Sequence, residues 1–581
     1  MTNNQITSLW STLIVEELVR QGIRRFCISP GSRSTPLTAA AARNSETVCN
    51  VFPDERAAAF FALGFARGAK KPAVLICTSG TAVANYFPAV VEASLDNQPM
   101  LVLSADRPFE LLETGANQTI RQKGIFGNYI RWDMELPEPS EETPARALLS
   151  TIDHAVRKSL GPLPGPVHLN LPFRKPFDPV DIPDNSSWSR PLDSWREKQE
   201  PLNSFAANGT KTNRTAVTAV KEILENASRP LIVAGQLDSP GGARDVLELA
   251  GTLNAPLYAD ISSQLRMHKG HDPLQPILLS ERFTSLFKPD TVLHFGGKLV
   301  GKHLPSAIRT WAPEHFIVIK NFSGRYNPDH NVTLQVEADP GDFASRLASA
   351  INTTHGNDLS LHVLSSEIER ELDDYCSPES PLTEISTARL VSGIIPDSHG
   401  LFLANSMPIR DMDMYAALRK NNALPLCGMN RGASGIDGNI ATAAGFAQGL
   451  GTPVTLVIGD LSFLHDLNSL TLLRNLEYPL HVVVINNNGG GIFSFLPIAE
   501  QKDIFETHFG TPQNYSIRSA AKAFGIAWNS PSTNGSFAEC YSERCRTAVS
   551  GIIEITGSRE KNLAEHRNLN AKLGKIIDRN L

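Results

Sequence analysis

Two short strings in the last third of the 581-residue chain carry side chains suited to a divalent cation: Gly459-Asp460, and Asn486-Asn487-Asn488-Gly489-Gly490-Gly491. Asp460 and Asn487 stand 27 positions apart. Each closes an apolar run that reads as a strand (454–460 and 481–487), and the stretch between them, 464–476, has the length and pattern of a helix. In a strand–helix–strand unit the two strands run parallel, so both residues emerge at the carboxyl edge of one sheet, where open α/β sheets bind ligands. A carboxylate, an amide oxygen and the backbone carbonyl of Gly489 are hard oxygen donors of the kind Mg2+ takes, with water and phosphate oxygens completing its octahedron. Mn2+ accepts the same donors. Gly489 also lets the backbone come close with no side chain in the way. A strand-end Asp and an Asn-Gly turn are each common. Aligned strand ends together with a glycine run are what turn the pair into a metal and diphosphate site.

Such a site needs sheets behind it. Short apolar runs recur at 25–29, 73–79, 100–105 and 167–171, then at 230–235, 256–260, 291–297 and 316–320, and again at 401–406, 454–460, 481–487 and 552–556. They do not alternate with polar residues, as expected of strands buried on both faces of a helix-covered parallel sheet. Helical stretches such as 56–67 lie between them. Strand–helix alternation repeated in three blocks predicts an α/β protein of three doubly wound parallel-sheet domains. A polar, proline-rich stretch at 176–215 and a weaker break at 353–360 mark the seams, which gives domains 1–185, 186–365 and 366–581.

A formal net charge of −6 argues against a general nucleic-acid binder, which carries a basic surplus. The seven cysteines, Cys27, Cys49, Cys77, Cys376, Cys427, Cys540 and Cys545, are scattered, and no CxxC occurs, so no zinc ribbon or dithiol redox site is expected. The first residues, MTNNQITSLW, lack a basic segment followed by an apolar core, and no run approaches the ~18 apolar residues of a membrane span. The expectation is a soluble, cytoplasmic protein.

The string GDLSFLHDLNSLTLLRNLEYPLHVVVINNNGG resembles the signature of thiamine diphosphate enzymes: Gly-Asp, a spacer, then Asn-Asn. Leu461 departs from the glycine that the broad family often carries there. A second match is Pro53-Asp54-Glu55-Arg56, opening the helix-like DERAAAFFALGFARG. The resemblance implies that Glu55 hydrogen-bonds N1′ of the aminopyrimidine ring, because a carboxyl group in an apolar pocket favours its neutral form and can share a proton there. It also implies that the three domains are a pyrimidine-binding, a central and a diphosphate- and Mg2+-binding domain.

Longer strings point within the family to members that take dicarboxylates: ISPGSRSTPL, TSGTAVAN, SADRP, GANQTI, NSMPIR, NRGASGIDG and NNNGGGIFSFLP. Those members decarboxylate 2-oxoglutarate and add the remaining unit to isochorismate in a 1,4 sense, on the way to menaquinone or phylloquinone. Arginines meet carboxylates through paired hydrogen bonds, which fix orientation as well as charge. By this resemblance Ser32, Arg33, Arg107, Asn117 and Gln118 face isochorismate or the reaction centre. Ser406, Arg410 and Arg431 belong to the catalytic set, the two arginines holding the carboxylates of the 2-oxoglutarate-derived unit. Lys302, in Gly301-Lys302-His303, reaches the site from the central domain. Ile436 wedges between the two rings of the coenzyme, and Ile492 and Phe493 line its pocket. One subunit supplies the pyrimidine contact and its partner the diphosphate site, so a homodimer or homotetramer is implied. The competing expectations are another 2-oxo acid carboligase or decarboxylase, related to acetolactate synthase, and a non-catalytic metabolite-binding protein on the same fold.

Overall fold

The structure is a computed structural model and describes all residues except 182–186, 206–211, 357–360 and 420–424. The chain forms two compact units. One is Met1–Ala207 with Asn430–Gly451 and His465–Tyr478; the other is Asn208–Met429 with Thr452–Leu464 and Pro479–Leu581.

In the first unit, β1 (Arg25–Ile28), β2 (Val48–Val51), β3 (Val74–Cys77), β4 (Met100–Asp106), β5 (Trp132–Glu135) and β6 (Pro166–Pro172) pair in the order β2-β1-β3-β4-β6-β5, all parallel. The second unit holds two sheets. One, of β7 (Pro230–Ala234), β8 (Leu257–Ala259), β9 (Thr291–Phe295), β10 (His315–Lys320) and β11 (Leu334–Glu337), runs β11-β10-β9-β7-β8. The other, of β12 (Gly400–Leu403), β13 (Cys427–Met429), β14 (Val454–Gly459), β15 (Leu480–Asn486), β16 (Ala527–Asn529) and β17 (Gly551–Thr556), runs β13-β12-β14-β15-β17-β16. The expected α/β class with three doubly wound parallel sheets is therefore present. Every apolar run read from the sequence is a strand, and β3, β4, β7 and β9 are buried along their whole length. Among the described residues no helix is long and apolar enough to cross a membrane.

The stretch 464–476, expected as one helix, is instead a short α-helix, Asp460–His465, followed by the 3₁₀ segment Leu467–Arg474. Asp466 stands at the break. Its buried carboxylate accepts the hydroxyl of Ser469 at 2.7 Å and the backbone N–H of Ala441 at 2.9 Å, and such local side-chain bonds compete with a continuous helix. The expected seam near residue 185 lies outside the described residues, as do parts of the polar stretches 176–215 and 353–360; residue 365 stands in the helix Leu361–Tyr375.

Within the first unit the helix Glu55–Ala69 starts on Asp54, whose carboxylate accepts the N–H groups of Arg56 at 2.9 Å and Ala57 at 3.3 Å, a cap worth about 1 kcal/mol. This helix packs against Asn439–Leu450 backbone to backbone. Gly64 and Gly68 of one (in GFARG) meet Gly445 and Gly449 of the other (in GFAQG). A Cβ at Gly64 would overlap the carbonyl oxygen of Thr442, and one at Gly445 that of Phe61. The close approach therefore requires glycine.

Candidate active site

In the first sheet, strand order reverses between β1 and β3, and ligands of open α/β sheets bind beyond the carboxyl ends of the strands at such a switch point. Three loops leave this edge: Ser32-Arg33 after β1, Thr78-Ser79-Gly80 after β3 and Arg107 after β4. The first fits against the second only because residue 31 is glycine, since a Cβ there would overlap the side chain of Thr78. A cavity of about 440 Å3 opens here, and Ser32, Arg33, Arg107, Asn117 and Gln118 all line it. Five of the expected substrate residues are thus brought together.

Arg33 is only 6% exposed; it donates Nη1 to the carbonyl of Phe173, and its guanidinium lies 4.8 Å from the ring centroid of Phe177. Burial, with the nearby Arg107, lowers it to about 10. Arg107 donates Nη2 to the carbonyl of Asn117 at 2.7 Å, and burial lowers it too. Arg33 Nε and Arg107 Nη1 are buried without a hydrogen-bond partner. Two desolvated guanidinium donors left open beside one cavity suit an anion, because an unmet buried donor costs about 1–3 kcal/mol and more when charged. Gln118, at φ +59°, accepts the Ser79 hydroxyl on its carbonyl at 3.1 Å and donates Nε2 to the Ser79 carbonyl at 3.0 Å, which locks the far wall.

Sequence reasoning missed Arg174 and Lys175, which line the same cavity; Arg174 is paired with Glu110 and Glu138. Their position in PFRKP just after β6 matches that of Arg107 after β4, and that was the available signal.

Glu55 is the first residue of the helix Glu55–Ala69 and is half-buried, with its charge felt at the buried Cys77 thiol. Arg56 next to it donates to the carbonyl of His465 at 2.8 Å. Arg431 and Ile436 lie in the loop before Asn439–Leu450, and Ile436 is 42% exposed, unusual for an isoleucine.

In the second unit, Gly459 and Ile485 are in register on β14 and β15, so Asp460 and Asn487 leave the same carboxyl edge as the sequence predicts. Asp460 is 3% exposed. Its Oδ2 accepts the N–H of Gly489 at 2.9 Å, its Oδ1 that of Leu461 at 2.7 Å, and its backbone carbonyl the hydroxyl of Tyr515 at 2.8 Å. Burial pushes the carboxyl up to about 6 against the pull of these N–H groups. Asn487 donates Nδ2 to Glu384 Oε1 at 2.8 Å, and its Oδ1 is buried with no partner. Gly489 adopts φ +141°, and a Cβ there would overlap the carbonyl of Gly510; its own carbonyl accepts the Gly491 N–H at 2.9 Å and keeps one lone pair. A carboxylate, an orphaned amide oxygen and a backbone carbonyl form an oxygen set that fits Mg2+ or Mn2+. Among the described residues no cluster of three or more His, Cys, Asp and Glu side chains could hold a metal, so a cation here would take its remaining ligands from phosphate and water. Glu384, pushed up to about 8 by burial and neighbouring Asp411, turns the Asn487 amide so that its oxygen is the free end. No spacing in the sequence announces it.

Ile492 and Phe493 follow in the 3₁₀ turn Gly491–Phe495, half-buried, with Phe493 edge-on to Phe509 at 5.6 Å. Ser406 begins the helix Met407–Tyr415 at φ +78°, a strained conformation for a residue with a Cβ, and its carbonyl accepts Arg410 Nη1 at 2.5 Å. Lys302 is exposed at the start of His303–Trp311. Ser406, Arg410 and Lys302 thus fall in one unit, and Arg431 and the five residues of the first cavity in the other.

The chain is similar along its length to known proteins. Residues 10–125 match the N-terminal TPP binding domain of thiamine pyrophosphate enzymes, 186–403 the middle domain of thiamine pyrophosphate enzymes, and 412–549 the C-terminal TPP binding domain. The chain is 69% identical to the 2-succinyl-5-enolpyruvyl-6-hydroxy-3-cyclohexene-1-carboxylate synthase of Chlorobium phaeobacteroides (strain BS1), over all of both chains. It is 56% identical to the synthase of that name from Prosthecochloris aestuarii, over 100% of this chain and 99% of the relative. A solved structure from Mycobacterium smegmatis, assigned as a thiamin diphosphate-dependent enzyme, superposes with a TM-score of 0.68 at 17% identity, covering 93% of this chain and 98% of that one, and shows the shared fold.

Proposed function

The chain belongs to the thiamine diphosphate-dependent 2-succinyl-5-enolpyruvyl-6-hydroxy-3-cyclohexene-1-carboxylate synthases, and from that premise we propose that it decarboxylates 2-oxoglutarate and adds the remaining four-carbon unit to isochorismate, releasing CO2, in menaquinone or phylloquinone biosynthesis. The observation that carries the substrate assignment is the pair of buried, unpartnered guanidinium donors, Arg33 Nε and Arg107 Nη1, beside one cavity. Both proposed substrates are dicarboxylates, and an acidic protein must concentrate positive charge to seat them.

When bound, thiamine diphosphate supplies a nucleophilic carbon and a sink for the electrons released with CO2. Asp460, Asn487 Oδ1 and the Gly489 carbonyl would hold Mg2+ or Mn2+ and, through it, the diphosphate. Glu55 would hold a proton between its carboxyl group and N1′ of the aminopyrimidine. Ile436 would press the coenzyme into a bent shape, and Ile492 and Phe493 would close its pocket against water. Ser32, Arg33, Arg107, Asn117 and Gln118 would orient isochorismate, with Ser406, Arg410 and Arg431 on the 2-oxoglutarate side and Lys302 reaching in from the central segment. The segments 1–185, 186–365 and 366–581 would act as pyrimidine-binding, central and diphosphate-binding domains. The active unit would be a homodimer or larger, with Glu55 and Asp460 of each site coming from different subunits.

The test is to mix the protein with 2-oxoglutarate, isochorismate, thiamine diphosphate and Mg2+ and follow isochorismate loss and CO2 release. Loss that requires all four additions supports the reading. CO2 release from pyruvate, with none from 2-oxoglutarate, would replace it with an acetolactate-synthase-like activity.

A further inference from the structure

The loop between β13 and the helix Asn439–Leu450 is held by a side chain that no feature of the sequence singles out. Glu92, on the helix Phe87–Leu95, is 3% exposed. Its Oε1 accepts the backbone N–H of Gly432 at 2.7 Å, and its Oε2 those of Ala433 at 2.6 Å and Ser434 at 3.3 Å. Three successive N–H groups turned onto one carboxylate form an anion-binding concavity made by the chain for its own side chain. We propose that Glu92 is a positioning residue that clasps this loop and thereby sets Arg431 and Ile436 for the reaction; the inference deepens the reading given under Proposed function and rests on it.

Three observations carry the argument. Gly432 lies so close to the helix that a Cβ would stand 2.5 Å from the Glu92 carbonyl oxygen and 3.1 Å from its carboxylate, so the clasp requires glycine at that position. Beyond the clasp the loop borders a cavity of about 190 Å3, lined among others by Phe60, Val91 and Gly435, and it closes tightly on the Phe60 ring only at Gly438, where a Cβ would stand 2.0 Å from that ring. Hydrogen bonds therefore fix the loop where packing does not. Finally, the helix that follows is anchored separately, by its glycine contacts with Glu55–Ala69 and not by the buried carboxylate. Such a group costs stability. Burial, and the neighbouring Asp96, raise the Glu92 carboxyl, and the loop N–H groups oppose that shift. Asp96 is itself paired with Arg67 at 2.5 Å, and Arg67 acts on Glu92 through its charge, opposing the shift as the loop does, so the loop supplies the direct hydrogen bonds to Glu92.

The test uses the full-length protein. Hydrogen–deuterium exchange without cofactor should show the amides of residues 432–434 exchanging at least tenfold faster in Glu92→Gln and Glu92→Ala, with trypsin cutting sooner after Arg431. With isochorismate loss as the readout, kcat/KM for 2-oxoglutarate should fall on the order of a hundredfold, the loss expected when a reacting group is misplaced by about 1 Å. Glu92→Gln, which keeps one acceptor, should fall between wild type and Glu92→Ala. Leu95→Ala, a control at an exposed position on the same helix, should leave both loop exchange and kcat/KM within about twofold, the small effect expected of a site that does not couple. Unchanged loop exchange in both Glu92 variants would overturn the clasp. A freed loop with unchanged kcat/KM, or an equal kinetic loss in Leu95→Ala, would overturn the positioning role. Should the Glu92 variants fail to fold, Gly432→Ala probes the same contact from the loop side with the same readings. If the wild-type protein does not consume isochorismate, the function reading falls by that result, while the exchange data still judge the clasp.

Discussion

At the scale of single residues, the two ends of the proposed coenzyme site ask different things of their carboxylates. Glu55 sits half-buried at a helix start, and its proposed task is to share a proton with a ring nitrogen. Replacing it with Gln should leave thiamine diphosphate binding nearly intact while turnover falls by about 10²–10⁴, the contribution of a positioned proton-transfer group; comparing cofactor Kd with kcat checks this. Asp460 is instead gripped by the N–H groups of Gly489 and Leu461. Asp460→Ala should abolish the rise in Tm that Mg2+ with thiamine diphosphate gives the wild-type protein, and a shift of wild-type size would remove Asp460 from the metal site. Asp460 and Asn487 were legible in the sequence because strand ends and a glycine run constrain what can stand there. Glu92 and Glu384 were not. Each is a lone acid in a helix, and its partner lies 340 and 103 positions away respectively, so no local pattern encodes the contact.

At the scale of elements, the interior strands declare themselves by unbroken apolar runs, whereas β2, β5, β11, β13 and β16 do not, and each of the five lies at the edge of its sheet. An edge strand is short and packs on one side, so it needs no apolar run; β2 is VCNV with both valines exposed, and β5 is WDME. The paired glycine helices are the most sensitive elements. Gly64→Leu would drive a side chain into the backbone of Asn439–Leu450 and should destabilise the protein by about 3 kcal/mol or prevent folding, measurable by urea denaturation. The C-terminal helix Arg559–Asn580 is tied down differently. His566 Nε2 lies 2.9 Å from Asp411 Oδ1, and although burial opposes its charge, Asp411 and neighbouring groups raise it to about 9. The folded protein therefore holds a proton that the unfolded chain, near 6.5, releases. The stability this contributes is complete below pH 6.5 and is lost as pH rises through about 9. Tm should decline over that interval, and His566→Asn should flatten the decline.

At the scale of the whole molecule, the proposed sharing of each site between subunits makes a prediction that no single-chain experiment can. Glu55→Gln and Asp460→Ala homodimers should each be nearly inactive. Unfolded together and refolded as a mixture, they should regain about a quarter of wild-type activity, since half of randomly paired dimers are mixed and each mixed dimer rebuilds one of its two sites. Absence of recovery, with mixed dimers present by mass spectrometry, would place both carboxylates in one chain.

The first unit is not continuous along the chain: the helix Glu55–Ala69 meets its glycine-lined neighbour only at Asn439–Leu450. A ribosome adding roughly 5–20 residues per second takes on the order of twenty seconds to more than a minute to deliver the second helix after the first. Throughout that interval the nascent helix presents a flat, apolar face with nothing to cover it, so newly made chains should depend on chaperones for that long, and truncated ones should aggregate.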